Sequence, residues 1–343
     1  MQGLKTYKTP FLLLFIVLIV VFIINISLGS VAIPFLDTLS TLFGGETTST
    51  SWDYIIWNYR VPKAVTAILV GSGLALCGLL MQTLFRNPLA GPFVLGISSG
   101  ASLGAALLIM GSSLFTGIVV INFASDLALA IAASLGSFLV LLVVITVATK
   151  VKDTMALLII GLMFGSITGA VVSLLSYFTS AEKLQQYMYW SLGSVGNLSW
   201  SQLLLLAIIV CAGILLSILT IKPLNALLLG ENYAKSLGVD LKKYRILIII
   251  ATGLLAGSIT AFSGLIAFVG LAVPHLTKQI FNTTNHKTLI PAVLLSGAIL
   301  MLLCDTIAQL PGSASVLPIN AITSIIGAPV VIWLLVRKRK MTF

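Results

Sequence analysis

The chain has 343 residues, 59% of them apolar and only 8% charged, with a mean hydropathy of +1.14 and a formal net charge of +10. A soluble globular protein carries about 25% charged residues, so this chain cannot cover a water-facing surface, and a soluble enzyme, a nucleic-acid binder and a disordered protein are excluded. It reads as an all-α integral membrane protein: at roughly 20 apolar residues per bilayer-crossing helix, its apolar content fills about ten spans. Residues 1–343 are therefore expected to form a single polytopic transmembrane domain with little extramembrane mass.

Apolar runs near 11–28, 64–85, 93–112, 124–148, 154–178, 200–221, 246–262, 263–281, 288–308 and 320–336 predict ten helices. The first follows Lys5 and Lys8 as a signal peptide would. It is too long for a signal core, however, and no A-x-A site follows it, so it reads as a span. With the N-terminus cytoplasmic, the alternating loops put Arg86, Lys150, Lys152, Lys222, Lys235, Lys278, Lys287 and the basic C-terminus inside, sixteen of the nineteen Lys and Arg in all. Only Arg60, Lys63 and Lys183 fall outside. This split is what the positive-inside rule requires of a correct topology with both termini cytoplasmic. The basic balance thus reports orientation and not a nucleic-acid partner.

Glycines recur at four-residue spacing as Gly96, Gly100 and Gly104, as Gly161, Gly165 and Gly169, and as Gly253 and Gly257. Such spacing lets helix backbones approach where lipid gives no hydrophobic drive for association. Interleaved Ser98, Ser99, Ser166, Thr168 and Ser173 either face a pathway or bond back to their own helices. Cys77, Cys211 and Cys304 lie in apolar runs without metal-ligand spacing, and His275 and His286 are the two histidines. Neither a metal site nor a catalytic constellation emerges. No GxxxxGK[ST] loop is present to cradle ATP, and Asp126 and Asp305 belong near helix ends. The lack of a carboxylate at the centre of a span weighs against the alternative of an ion-coupled secondary transporter.

Between the sixth and seventh spans lies the one long cytoplasmic segment, Lys222 to Asp240. Pro223 is expected to end the span, Asn225 to cap a new helix, Gly230 to interrupt it, Gly238 to stop the next turn and Asp240 to cap the seventh span. Two short surface helices at about 223–240 follow. Leu227, Leu228, Leu229 and Leu237 could rest on lipid, but Glu231 and Asp240 suit a cytoplasmic partner better than anionic headgroups.

Several motifs carry a resemblance: Arg60-Val-Pro62-Lys63, Gly71-Ser-Gly73-Leu-Ala75, Gln82, Arg86-Asn87-Pro88-Leu89-Ala90-Gly91-Pro92, Leu95-Gly96-Ile-Ser-Ser-Gly100-Ala101, Gly230 to Val239, Phe268-Val-Gly270-Leu-Ala-Val-Pro274-His275, and Leu317-Pro318-Ile with Thr323 and Gly327-Ala328-Pro329. In this order they resemble the bacterial type II ABC importer permeases for iron-siderophores, haem and cobalamin, over nearly the whole chain. The resemblance implies a cobalamin-permease-like fold in the bacterial cytoplasmic membrane and a dimer, taken as a homodimer. It also implies two cytoplasmic ATPase subunits and an extracytoplasmic binding protein that delivers a metal chelate, a ferric siderophore first. This chain would be no enzyme and would bind no cofactor, with ATP and magnesium held by the partner ATPase.

By the same likeness Gly230, Glu231, Ala234, Lys235, Leu237, Gly238 and Val239 contact the ATPase, and Arg60 and Lys63 dock the binding protein. Asn87, Pro88 and Leu89, with Thr154 and Met155, form the cytoplasmic constriction. Tyr187 to Gly196 narrows the outer mouth. The sequence departs from the family pattern at Gln309, where an arginine is common, at Val316, where a glutamate is common, and at Asn285, where an aspartate is frequent.

Overall fold

A computed structural model describes residues 7–45, 49–111, 126–151, 153–309 and 315–336. All regular structure among them is helical: α1 (Lys8–Ser27), α2 (Phe35–Leu42), α3 (Thr50–Ile55), α4 (Val61–Leu84), α5 (Ile97–Ile109), α6 (Asp126–Lys150), α7 (Thr154–Phe178), α8 (Ala181–Ser191), α9 (Trp200–Leu219), α10 (Ile221–Leu228), α11 (Glu231–Ser236), α12 (Leu241–Ser263), α13 (Val269–Phe281), α14 (His286–Ala308) and α15 (Ile319–Val336). A π-helical turn, Ile56–Arg60, fuses α3 to α4, and a 3-10 turn, Pro92–Leu95, leads into α5.

Each of the ten apolar runs contains a helix. Among the described residues, seven helices are long and apolar enough to cross a membrane, counting α3 and α4 as one continuous segment. The others are α1, α6, α7, α9, α12 and α14. At 1.5 Å per residue, the 13 residues of α5 and of α13 give about 20 Å each, short of a hydrocarbon core of about 30 Å. The run at 263–281 is thus corrected to a shorter helix. Gly264 (φ +70°) and Phe268 (φ +63°) take left-handed conformations, which α-helix cannot continue through, and an irregular stretch at 264–268 separates α12 from α13. The expected run ends at 112 and 124–125, and the basic termini at 1–6 and 337–343, lie outside the described residues.

Helix α4 is the axis of the bundle and the most buried of the long spans. It packs on α14, α13, α12 and α9, while α5 packs on α6 and α7, and α1 lies on α14. Small residues make the closest crossings. Gly71 of α4 meets the Gly297 carbonyl of α14, and a Cβ at Gly78 would fall on the Gly270 carbonyl of α13. Backbones this close gain dispersion contacts in lipid that larger side chains would forbid.

Gly100 and Gly136 do the same for α5 and α6. The interleaved hydroxyls of α7 bond back to their own helix, Ser166 to the Leu162 carbonyl (3.2 Å), Thr168 to Gly165 (2.9 Å) and Ser173 to Gly169 (3.0 Å). Gly161 touches the Val94 carbonyl, but Gly169 meets nothing within 4 Å. Helix α7 is the least buried of the long spans.

Candidate coupling and gating site

One end of the bundle gathers α10, α11, the α6–α7 turn and the turn after α4. Helix α9 ends one turn earlier than Pro223 suggests: the Thr220 hydroxyl donates to the Ser217 carbonyl (2.7 Å) and α10 starts at Ile221. Pro223 is accommodated in the first turn of α10, where its missing N–H needs no partner. Asn225 is therefore not a cap. It sits inside α10, and its Oδ1 accepts from the His286 backbone N–H (2.9 Å) and from His286 Nδ1 (2.8 Å). Its Nδ2 donates to Asn285 Oδ1 (3.1 Å). His286 Nε2 lies 2.9 Å from the Thr83 hydroxyl. A neutral ring protonated on Nδ1 satisfies both contacts, and α10 is pinned to α14 and α4.

Beyond α10 the expected punctuation holds. Gly230 (φ +111°) and Gly238 (φ +79°) bracket α11, conformations that only glycine adopts without strain. The Asp240 carboxylate accepts from the Lys243 N–H (3.1 Å) and caps α12. Ala234 is buried and its carbonyl accepts from Val239 N (3.1 Å). Leu229, Tyr233 and Leu237 project outward, Leu237 being 58% exposed, with Lys235 and Gly238 on the open side and Val239 half-buried. Leu229 and Leu237 follow the ends of α10 and α11 and Tyr233 lies within α11, so the three make an exposed apolar trio in a basic loop.

The turn after α4 is tight. Arg86 is left-handed (φ +47°), and Asn87 N donates to the Gln82 carbonyl (3.1 Å). Asn87 Oδ1 accepts from Leu89 N (2.9 Å), so this side chain braces its own turn. The Pro88 carbonyl lies 2.7 Å from His275 Nε2 of α13, and Leu89 projects, 43% exposed. Across a cleft, Asp153 caps α7 by accepting from Met155 N (2.9 Å) and Met155 is exposed. Arg86, Thr154, Met155, Gly230, Glu231 and Tyr233 line this cleft, of about 910 Å³. Gly230 and Glu231 of the residues expected to touch the ATPase thus share one cavity with Thr154 and Met155 of the expected exit, while Asn87, Pro88 and Leu89 do not line it.

The opposite end holds Arg60 and Lys63. Arg60 is buried, and its guanidinium donates to the carbonyls of Ile26 (2.8 Å), Ser27 (2.8 Å) and Val31. It clasps the chain where α1 turns toward α2, and it is not presented on the surface. Lys63 Nζ pairs with Asp305 Oδ1 at 3.1 Å. Asn25 Nδ2 donates to Asp305 Oδ2 (2.8 Å) and to the Thr306 hydroxyl (3.0 Å). With its amide turned to suit its neighbours, Gln309 accepts from Lys63 and donates to the Leu28 carbonyl (2.8 Å). Gln309 thus supplies an acceptor to Lys63 that an arginine there could not.

These groups floor a pocket of about 460 Å³ walled by Tyr59, Val316, Leu317 and the 193–197 turn. That turn follows α8. Tyr187 of α8 bonds Ser102 (2.5 Å), and Ser194 N donates to the Ser263 carbonyl (2.9 Å).

Sequence reasoning left Asn25, Arg245, His275 and His286 without partners. Each of the four makes at least one contact between segments more than 90 residues apart. No group of three or more His, Cys, Asp or Glu side chains suited to a metal occurs among the described residues.

Comparison with solved structures places this architecture. A metal-chelate type ABC transporter in an inward-facing conformation matches it with a TM-score of 0.83 and 31% identity, covering 97% of this chain and all of the other. PsaBC from Streptococcus pneumoniae shares the fold at a TM-score of 0.50 and 16% identity, over 80% of this chain and 90% of the other. The fold is that of an ABC transporter permease. The profile of the FecCD transport family matches residues 17–337, and the chain belongs to that family. It is 38% identical over 299 residues to the vitamin B12 import system permease protein BtuC of Klebsiella pneumoniae, covering 86% of each chain. To BtuC of Salmonella typhi it is 36% identical over 313 residues, 89% of this chain and 93% of the other.

Proposed function

We propose that the chain is the membrane-spanning subunit of an ATP-driven importer of metal chelates in the bacterial cytoplasmic membrane, working as a homodimer with two ATPase subunits and an extracytoplasmic binding protein. The observation that carries this reading is the joining, in one cleft, of Gly230, Glu231 and Tyr233 at the start of α11 with Thr154 and Met155 of the α6–α7 turn. ATP and magnesium sit on the partner ATPase. Gly230 to Val239 receives its movement, Asn87, Pro88, Leu89, Thr154 and Met155 close the inner side, and the pocket over Arg60 and Lys63 receives the binding protein from outside.

The open face of α7 supports the dimer, since the exposed Ser166, Gly169 and Ser173 leave room for a second backbone. For the cargo, a ferric siderophore is the first candidate. The vitamin B12 permeases among the relatives favour cobalamin as the second. Proteoliposomes holding the permease, its ATPase and its binding protein decide both points. Accumulation of a ferric hydroxamate, of haemin or of cyanocobalamin should require enclosed ATP. Uptake driven by a proton or sodium gradient without ATP would replace this reading with an ion-coupled carrier.

The docking pocket has its own test. Rim charges govern on-rate and salt dependence, and Lys63 is itself covered by Asp305, so a carboxylate is placed on the exposed pocket wall: Tyr59→Glu should slow association of the binding protein, and unchanged association would take this pocket out of the docking surface.

A further inference from the structure

We infer that Arg245 is a positioning residue which ties the ATPase-facing segment to the exit turn, so that a displacement of α11 is delivered to Thr154 and Met155. The inference rests on the importer reading above. Arg245 lies in the second turn of α12 and is only 9% exposed. Its Nη1 donates to the Val151 carbonyl (3.2 Å) and its Nη2 to the Thr154 hydroxyl oxygen (3.1 Å). The same Nη2 stands 3.4 Å from Glu231 Oε1. The Thr154 hydroxyl in turn donates to Glu231 Oε1 at 2.8 Å. The three side chains close a triangle in which the one proton of Thr154 and both oxygen acceptors are used, an arrangement that stiffens as a unit.

The triangle is where two otherwise separate parts meet. Helix α11 packs on α10 and α12 and not along α7. Val151 and Thr154 flank Asp153, the cap of α7, so the guanidinium grips both sides of the α6–α7 turn. A planar fork of donors can reach three acceptors in a fixed plane, which an ammonium on a flexible stem does not reproduce. On the far side of the triangle, Glu231 directly follows Gly230 at φ +111°. α11 is therefore held to the span by α10 through a glycine joint and to the exit by this carboxylate. The Glu231 side chain is one-third exposed while Arg245 is mostly covered. A pair with one partner open to solvent adds little to stability, so its consequence is positional.

The test uses the complete transporter in proteoliposomes, with enclosed ATP and whichever of the ferric hydroxamate, haemin or cyanocobalamin the unmodified complex accumulates. Uptake per ATP hydrolysed should fall at least fivefold in Arg245→Gln and in Glu231→Ala. The double variant should fall no further than Arg245→Gln alone, because both act through one contact. Should Arg245→Gln fail to assemble, Glu231→Ala, on the open side of the contact, gives the same reading. A ratio within twofold of the unmodified complex in the assembled variants overturns the assignment, as does a loss of uptake that follows only the amount of assembled complex. If the unmodified complex shows no ATP-dependent uptake at all, the importer reading falls and this inference with it. If uptake is ATP-driven and the ratio stands, the Arg245 assignment alone falls.

Discussion

Asp305 offers the sharpest test of how the outer end is held together. Its carboxylate is 2% exposed, and it meets Lys63 Nζ at 3.1 Å and Asn25 Nδ2 at 2.8 Å, so one side chain of α14 joins α4 and α1. Asp305→Leu would strand the mostly buried Lys63 ammonium with Gln309 as its remaining acceptor. Removing one member of a buried pair costs about 3–5 kcal/mol, because the other charge stays desolvated and unpaired. Replacing both with apolar residues of similar volume is close to neutral or stabilising. At about 2 °C per kcal/mol for a chain of this size, the apparent Tm of Asp305→Leu should fall by about 6–10 °C. The double variant Lys63→Met/Asp305→Leu should recover most of that. Thermal unfolding of the purified protein in one detergent at one scan rate measures both. A single variant within about 2 °C of the unmodified protein, or a double variant as unstable as the single, would refute the pairing as the cause.

Three further outcomes are expected. Gly78→Val would push a side chain into the Gly270 carbonyl, and overpacking of this kind costs typically about 1–3 kcal/mol and more against backbone, so the yield of folded protein from membranes should drop sharply, and an unchanged yield would show that the two backbones do not meet there. Asn225→Leu would leave the buried His286 ring Nδ1 and backbone N–H without their acceptor; an unsatisfied buried polar group costs about 1–3 kcal/mol, visible as a lower apparent Tm, and an unchanged Tm would show that the contact is not formed. Asn87→Ala with Leu89→Ala removes the brace and the projecting side chain of the exit turn, so vesicles loaded with chelate and lacking ATP should leak faster; efflux equal to that of the unmodified complex would take these residues out of the constriction.

What the sequence could tell depended on whether a feature was local. Helix α7 was legible to the residue, because Asp153 is a cap directly before an uninterrupted apolar run. Gly230, Gly238 and Asp240 were legible for the same reason. Pro223 misled because proline both follows helices and begins them, and the break at Thr220 has no residue of its own to announce it. The irregular stretch at 264–268 was hidden inside an apolar run, since the conformation of Phe268 is imposed by its surroundings and not by its type. Arg60 was legible as an outer cation, but its partners Ile26, Ser27 and Val31 are backbone carbonyls about thirty residues away, and a carbonyl leaves no mark in a sequence. Arg245 was counted among the inner positive charges and nothing more, because its task follows from proximity to Thr154, 91 residues earlier.

The two ends of the bundle differ in a way that bears on how such a protein can move. At the outer end a mostly buried ion pair joins α1, α4 and α14, and α4 and α14 also cross at glycines too close for any other residue. Sliding these three helices past one another would have to separate charges out of water and force backbone into backbone, so they form one rigid body. At the inner end the ionic contact is part exposed, lies between two glycines in left-handed conformations, and reaches α7, the least buried of the long spans. Helix α7 packs mainly on α5 and the Pro92–Leu95 turn, so its displacement leaves the glycine crossings of α4 with α14 and α13 in place. A push applied at α11 therefore meets its least resistance along α7, and the α6–α7 turn that Arg245 grips is the point at which it arrives.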